Sequence, residues 1–297
     1  MNSSLSAGLI ACIAIAMTSV TALAQSETLK KIKETKAVTL GYRDSSIPFS
    51  YLDADLKPVG FSMDLCGLIV ERIKQQTNLQ DLTVNYTAVN SSNRVPLVQN
   101  GTVDIECGGT ANNATRQKEV AFSVATFVSQ PRWLVRVDSG LKTAADLKGK
   151  VVVTTQGSNA VGFARQISQG KGLDLKIIEA KDHSESMLML GTGRVSAFLE
   201  DDILLAGERA NAQKPTEFAF LPDGYDTIYY GLMFRRDDPH FKELVDEVLS
   251  GLMRSGEFDR IYKKWFESPI PPRDNNLQFP MSARLRERVK NPSDRVD

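Results

Sequence analysis

The chain has 297 residues, with Lys plus Arg and Asp plus Glu at 36 each, so it is formally neutral, and 42% of it is apolar. That is a globular composition with enough length for two lobes of ~125–150 residues each. Balanced charge leaves no basic footprint and argues against a nucleic-acid partner.

Ala7 to Ala24 is almost wholly apolar and gives way at once to Gln25-Ser26-Glu27-Thr28. Ala22-Leu23-Ala24 supplies the small-bulky-small pattern of a signal-peptidase site, so residues 1–24 read as a signal peptide and Gln25 as the mature start. No Lys or Arg precedes the apolar run, which keeps an uncleaved anchor as the alternative. The expected location is periplasmic. Leu9-Ile10-Ala11-Cys12 spells a lipoprotein-type box, but the apolar run mostly follows this cysteine. Cys66 and Cys107 then remain as an even pair in an oxidising compartment. A disulfide and a pair of small buried hydrophobes are both open readings, since sequence supplies no Cα separation.

Past the leader, strands and helices alternate, which predicts α/β lobes on largely parallel sheets. Residues 38–42 read as the first strand. Phe61, Leu65, Leu68, Ile69 and Ile73 recur at helical spacing, so 61–76 is an amphipathic helix packed on it. Residues 84–87 are a strand, 92–99 a short helix closed by Gly101, and 103–105 a third strand. A second set starts near Pro131: strands at 133–135, 151–153, 175–179 and 195–199, with helices at 158–168, 184–190 and 202–210. The β-rich segment 227–233 precedes a long helical tail, 241–266, that is expected to return to the first lobe. Residues 280–297 are charge-rich and read as a solvated helix and tail. The fold class is thus α/β, with two Rossmann-like lobes and chain crossings near 130 and 229 that make a two-strand hinge. Lobe 1 is 25–130 with 229–297, and lobe 2 is 131–228.

Several blocks carry a family resemblance: residues 41–50 (Gly-Tyr-Arg-Asp-Ser-Ser-Ile-Pro-Phe-Ser), 91–96, 99–102, Glu106-Cys107-Gly108, Asn112-Asn113 with Arg116-Gln117-Lys118, residues 180–183, Asp201-Asp202 with residues 204–210, and Lys264-Trp265-Phe266 before residues 269–272. Together they resemble the periplasmic glutamate/aspartate-binding proteins, a branch of the family 3 extracellular solute-binding proteins that feed ABC importers. The resemblance spans nearly all of the mature chain. It implies the type II periplasmic-binding, or Venus-flytrap, architecture, a monomer, an acidic amino acid as ligand, a membrane permease as partner and no cofactor.

An acidic amino acid presents one ammonium and two carboxylates, so its site needs an acid and two groups of cations. Arginine suits the second task, because its planar fork binds a carboxylate bidentately and stays charged when desolvated. The family pattern implies Arg116 on the α-carboxylate, Asp201 on the ammonium, and Arg43, Ser91, Arg94 and His183 around the side-chain carboxylate. Each has a plainer alternative: a solvated arginine, a helix cap for Asp201, a satisfied loop residue for His183. The chain departs from the pattern after Glu106-Cys107-Gly108, where Gly109 and Ala111 replace hydroxyl residues; backbone contacts to the ligand remain available there. Two lost hydrogen bonds at ~0.5–1.5 kcal/mol each would cost one to two decades of affinity, or point to a ligand with a bulkier α-substituent. Ser158 and Asn159 stand at a helix start able to direct amides at a carboxylate. Leaving an arginine of the cleft without its anion costs ~3–5 kcal/mol, which predicts discrimination of several hundredfold against neutral side chains.

Two rivals come from other classes. Dehydratases of the same fold act on cyclic amino-acid precursors (cyclohexadienyl or arogenate) and need a positioned acid or base, for which Glu200 or His183 would serve. No Gly-x-Ser-x-Gly elbow, His-Glu-x-x-His or phosphate loop is present, and no enzymatic activity is expected. The second rival is a sensory ligand-binding module.

Overall fold

The computed structural model describes residues 26–296. The expected signal peptide, its cleavage point and Cys12 lie outside the described residues. Among the described residues no helix is long and apolar enough to cross a membrane.

Two five-stranded sheets form the frame. In the first, Ala37–Tyr42 pairs in parallel with Thr83–Ala88 and Ile105–Glu106, and Met233–Arg235 runs antiparallel between Ile105–Glu106 and Val120–Phe122. In the second, Val151–Thr155 pairs in parallel with Lys176–Ala180 and Ala197–Asp201, while Pro131–Arg136 runs antiparallel between Ala197–Asp201 and Phe218–Phe220. Each sheet therefore holds a single reversed strand, and the expectation of largely parallel sheets stands.

Side-chain alternation along the strands buries both faces of each sheet. In the second, Trp133, Val135, Val152, Ala197 and Leu199 pack against Ala160, Ala164 and Ile167 of the helix Ala160–Gly170. Their neighbours Leu134, Val153 and Phe198 point the other way, onto Met187, Leu190 and Leu205. The first sheet repeats this with Phe234 and Leu40 on one side and Met233, Val103 and Phe122 on the other. The helix Phe61–Thr77 covers the Leu40 side with Leu65, Ile69 and Ile73 inward.

The helical tail does return to the first sheet: Trp265 Nε1 and Lys264 Nζ both donate to Asp64 Oδ2 of that helix, at 2.7 Å. It is two helices, Pro239–Ser255 and Glu257–Phe266, broken where Gly256 takes φ +81°. The chain crosses between sheets at Phe127–Ser129 and Ile228–Tyr230, which pair antiparallel, with Ala111–Asn112 as a third strand. The C-terminal segment departs from expectation in part. Its charge-rich sequence predicts a solvated helix and tail, and Ala283–Lys290 is a helix with Leu285 alone buried, yet Ala125 N donates to Ser293 O and Asn112 Nδ2 donates to Asp294 O. Those bonds lay the tail along the crossing strands, whose backbone groups its charge-rich sequence does not advertise.

The lobes touch across the cleft. In the helix Asp202–Asn211, a Cβ added at Gly207 would lie 2.4 Å from the Ile47 carbonyl oxygen of the opposite lobe. Gly207→Ala is therefore expected to oppose closure by about 1–3 kcal/mol, a ten- to hundredfold loss of ligand affinity by calorimetry. Thermal stability of the ligand-free protein should hold or rise slightly, since alanine favours a helix over glycine.

Candidate functional site

The six strands joined in parallel pairs end at the cleft between the sheets, where open α/β sheets place their ligands. Arg43 follows Ala37–Tyr42, Ser91 and Arg94 follow Thr83–Ala88, and Gly109, Ala111 and Arg116 follow Ile105–Glu106. From the second sheet, Ser158 and Asn159 follow Val151–Thr155, His183 follows Lys176–Ala180, and Asp201 closes Ala197–Asp201. The ten residues singled out in the sequence thus converge on one region.

Local sequence fixes the loops that hold them. Asn90 Oδ1 accepts from Ser92 N and Asn93 N, and Asn93 Oδ1 accepts from Asn90 N. This reciprocal asparagine turn presents Ser91 and starts the helix Arg94–Gln99 at Arg94. Asp182 caps the helix His183–Gly191 by accepting from Glu185 N, which sets His183 at its first position. Asp201 occupies the N-cap position of Asp202–Asn211, but its carboxylate does not cap the helix. It accepts instead from the Tyr230 hydroxyl and, at 3.4 Å, from Asn159 Nδ2.

Three guanidiniums enter from the first lobe. Arg43, 2% exposed, donates Nη2 to Ser91 Oγ at 3.0 Å, and its Nη1 is buried without a protein partner. Arg94 donates Nη1 to Thr110 Oγ1 at 2.6 Å and lies 3.7 Å from Glu106 Oε1, while its Nε lacks a partner. Arg116 donates to Ala111 O at 2.8 Å and reaches across the cleft to Gly157 O at 3.0 Å. Burial, and after it the charge of Arg94, lowers both Arg43 and Arg116 to about 10. Both remain cations at neutral pH.

The second lobe supplies acids and a neutral imidazole. Burial first, then Arg43 and Arg94, pushes His183 well below the ordinary histidine range. Its Nδ1 lies 2.8 Å from Thr155 Oγ1; with the hydroxyl donating there, Nε2 carries the ring proton and is free to donate to an anion. Glu200 accepts from Ser158 Oγ at 2.8 Å through Oε1, and its Oε2 is buried and unpartnered. Desolvation is the leading cause that raises both Glu200 and Asp201.

Sequence reasoning missed the polar groups that brace this set. Glu106, fully buried, accepts from Thr110 and faces Arg94; Tyr230 fixes Asp201. Gly109 also reads differently in place: a Cβ there would meet Phe49 Cδ2 at 2.9 Å and Tyr230 Cε2 at 3.2 Å. Aromatic rings, not open space, occupy the position of the missing side chain. The carbonyls of Gly109 and Ala111 already lie within 3.5 and 2.8 Å of arginine donors, so only a second lone pair on each is available to a ligand. Cys66 and Cys107 are joined as a disulfide, with Cα atoms 6.3 Å apart.

The chain is 48% identical over 270 residues to the L-glutamate/L-aspartate-binding protein of Pseudomonas aeruginosa, covering 91% of this chain and 89% of that one. It is 41% identical over 273 residues to the glutamate/aspartate import solute-binding protein of Escherichia coli, covering 92% and 90%. Among solved structures, the ancestral amino acid-binding protein AncCDT-1, a precursor of cyclohexadienyl dehydratase, superposes with a TM-score of 0.71 at 22% identity, covering 81% of this chain and all of that one, and shares the fold. The family model for bacterial extracellular solute-binding proteins, family 3, matches residues 38–268, and the chain belongs to that family.

Proposed function

We propose that this protein captures glutamate or aspartate in the cleft between its lobes and delivers it to the membrane permease of an ABC importer. The observation that carries the reading is the convergence of Arg43, Arg94 and Arg116 from one lobe on Asp201 and neutral His183 from the other. In this reading Arg116 takes the α-carboxylate and Asp201 the ammonium. Arg43, Ser91, Arg94 and the His183 Nε2 proton surround the side-chain carboxylate. The Gly109 and Ala111 backbone and the loop of Ser158 and Asn159 complete the walls. Lobe 1 comprises 25–130 and 229–297 and lobe 2 comprises 131–228, hinged at the paired crossings, and the closed form is what the permease recognises. The protein acts as a periplasmic monomer, exported by its N-terminal segment. It has no nucleic-acid partner and performs no chemistry on its ligand.

Support comes from the charge pattern, which matches one cation and two anions on a single small molecule, and from relatives named for glutamate and aspartate at 41–48% identity. Calorimetric titration of refolded, ligand-free protein tests it. The acidic pair should bind at micromolar concentrations or below, glutamine and asparagine at least a hundredfold more weakly near neutral pH, and the recovered ligand should be unchanged. Equal binding of all four, or conversion of any of them, overturns the reading.

A further inference from the structure

We propose that Glu200 is a specificity-determining residue of the cleft: it takes up a proton when an acidic amino acid binds and accepts a hydrogen bond when a neutral amide side chain does. The inference rests on the reading of an amino-acid-binding cleft given above. Glu200 is 1% exposed and ends in two differently used oxygens. Oε1 accepts from Ser158 Oγ at 2.8 Å and from Asp201 N at 3.2 Å. Oε2 is buried with no hydrogen-bond partner and lies 3.6 Å from His183 Nδ1. That nitrogen is already engaged by Thr155, so it leaves the carboxyl oxygen to find a proton or a donor elsewhere. An unsatisfied buried carboxylate oxygen is costly, and the cost is relieved by a proton on it or by a donor from the ligand.

Charge balance decides which. The groups acting on Glu200 are Asp201 and Ser158 beside it, His183 on the neighbouring helix, Arg43, Arg94 and Arg116 from the opposite lobe, and Tyr230 from the hinge. Glu106 faces the same arginines. His183 and Tyr230 are neutral, so the three guanidiniums stand against Glu106, Asp201 and Glu200, with Glu208 acting on Arg43 and Asp202 beside Asp201, both raised chiefly by burial. Protonation of Glu200 leaves the cleft one unit more positive than its ionised form does. An acidic amino acid brings a net charge of −1, and an amide analogue brings none. In a desolvated site the first is matched by protonated Glu200. The second is matched by ionised Glu200, whose Oε2 can accept from an amide N–H. Burial and the Asp201 charge push Glu200 up to about 8, which puts the exchange within reach of ordinary buffers.

Calorimetry of the refolded, ligand-free protein with glutamate, between pH 7 and 8.5 in buffers of different ionisation enthalpy, counts protons taken up on binding. The expected result is uptake that grows toward one proton as pH rises. Glutamate affinity should weaken by up to about tenfold per pH unit while glutamine affinity does not weaken, so the ratio between them narrows. Glu200→Gln should abolish the uptake and flatten the glutamate profile. Glutamate binding that is tight, pH-independent and without proton uptake overturns the inference and leaves the proposed function standing. Uptake that survives in Glu200→Gln assigns the proton to another group and likewise overturns it. Failure of glutamate to bind at any pH overturns both.

Discussion

Replacing Arg43 with methionine is expected to move stability and affinity in opposite directions. In the structure this guanidinium is buried, holds one hydrogen bond to Ser91 and has Nη1 without a protein partner. Burial and the like charge of Arg94 lower it from the ordinary arginine range to about 10. The sign follows from that direction: the folded state releases the proton more readily than the unfolded chain. Wherever both are protonated, below about pH 10, folding therefore bears the cost of the buried charge, and that cost disappears only at higher pH. The shift corresponds to a penalty of order 3 kcal/mol, partly offset by the Ser91 bond at ~1 kcal/mol. An apolar side chain of similar length should stabilise the ligand-free protein by ~1–2 kcal/mol, seen as a melting temperature a few degrees higher. Glutamate affinity should fall by about three decades, because a buried charge-assisted contact to a carboxylate is worth ~3–5 kcal/mol when one partner is removed. With saturating ligand the order of stabilities reverses, since only the wild type gains much from binding. A ligand-free melting temperature that drops would mean Arg43 serves the fold and not the ligand.

The disulfide carries the second large effect. It ties Cys66 in the helix Phe61–Thr77 to Cys107, beside the strand Ile105–Glu106, across a separation of 41 residues. A crosslink of that span removes ~4 kcal/mol of chain entropy from the unfolded state. Cys66→Ala with Cys107→Ala should lower the unfolding free energy by about that amount in denaturant titration. Alanine suits both positions, which are fully buried and would strand a serine hydroxyl. Ser62 Oγ still donates to Gly108 O at 3.1 Å, a second tether that keeps the Glu106–Ala111 segment in register. Glutamate affinity should consequently change by less than tenfold while stability falls. A double variant as stable as the wild type would show that the bridge is dispensable to folding.

What could be read from the chain alone was whatever repeats along it. The apolar spacing of Phe61, Leu65, Ile69 and Ile73 marked its helix to within one residue, and the second lobe's alternation placed each of its parallel strands and helices within about two residues of where they stand. Breaks within one hydrophobic run were invisible. Residues 227–233 read as a single β-rich segment, yet Ile228–Tyr230 and Met233–Arg235 belong to different sheets, with Gly231 between them. The strands Val120–Phe122 and Phe127–Ser129 went unread because three residues are too few to show a period. At the site, the residues proposed to hold the ligand came from family resemblance and not from periodicity. Glu106, Thr110 and Tyr230 were passed over because a side chain that braces another is recognised only once the strand ends meet in space.

The place of Met233–Arg235 in the first sheet also dictates an order of assembly as the chain emerges N-terminus first. This strand lies between Ile105–Glu106 and Val120–Phe122, so the sheet that begins at Ala37 cannot be completed until residue 235 has emerged. The other sheet has all five of its strands by Phe220. The half made second is thus the first able to close, and the half that carries the three arginines stays open at its centre until most of the polypeptide exists.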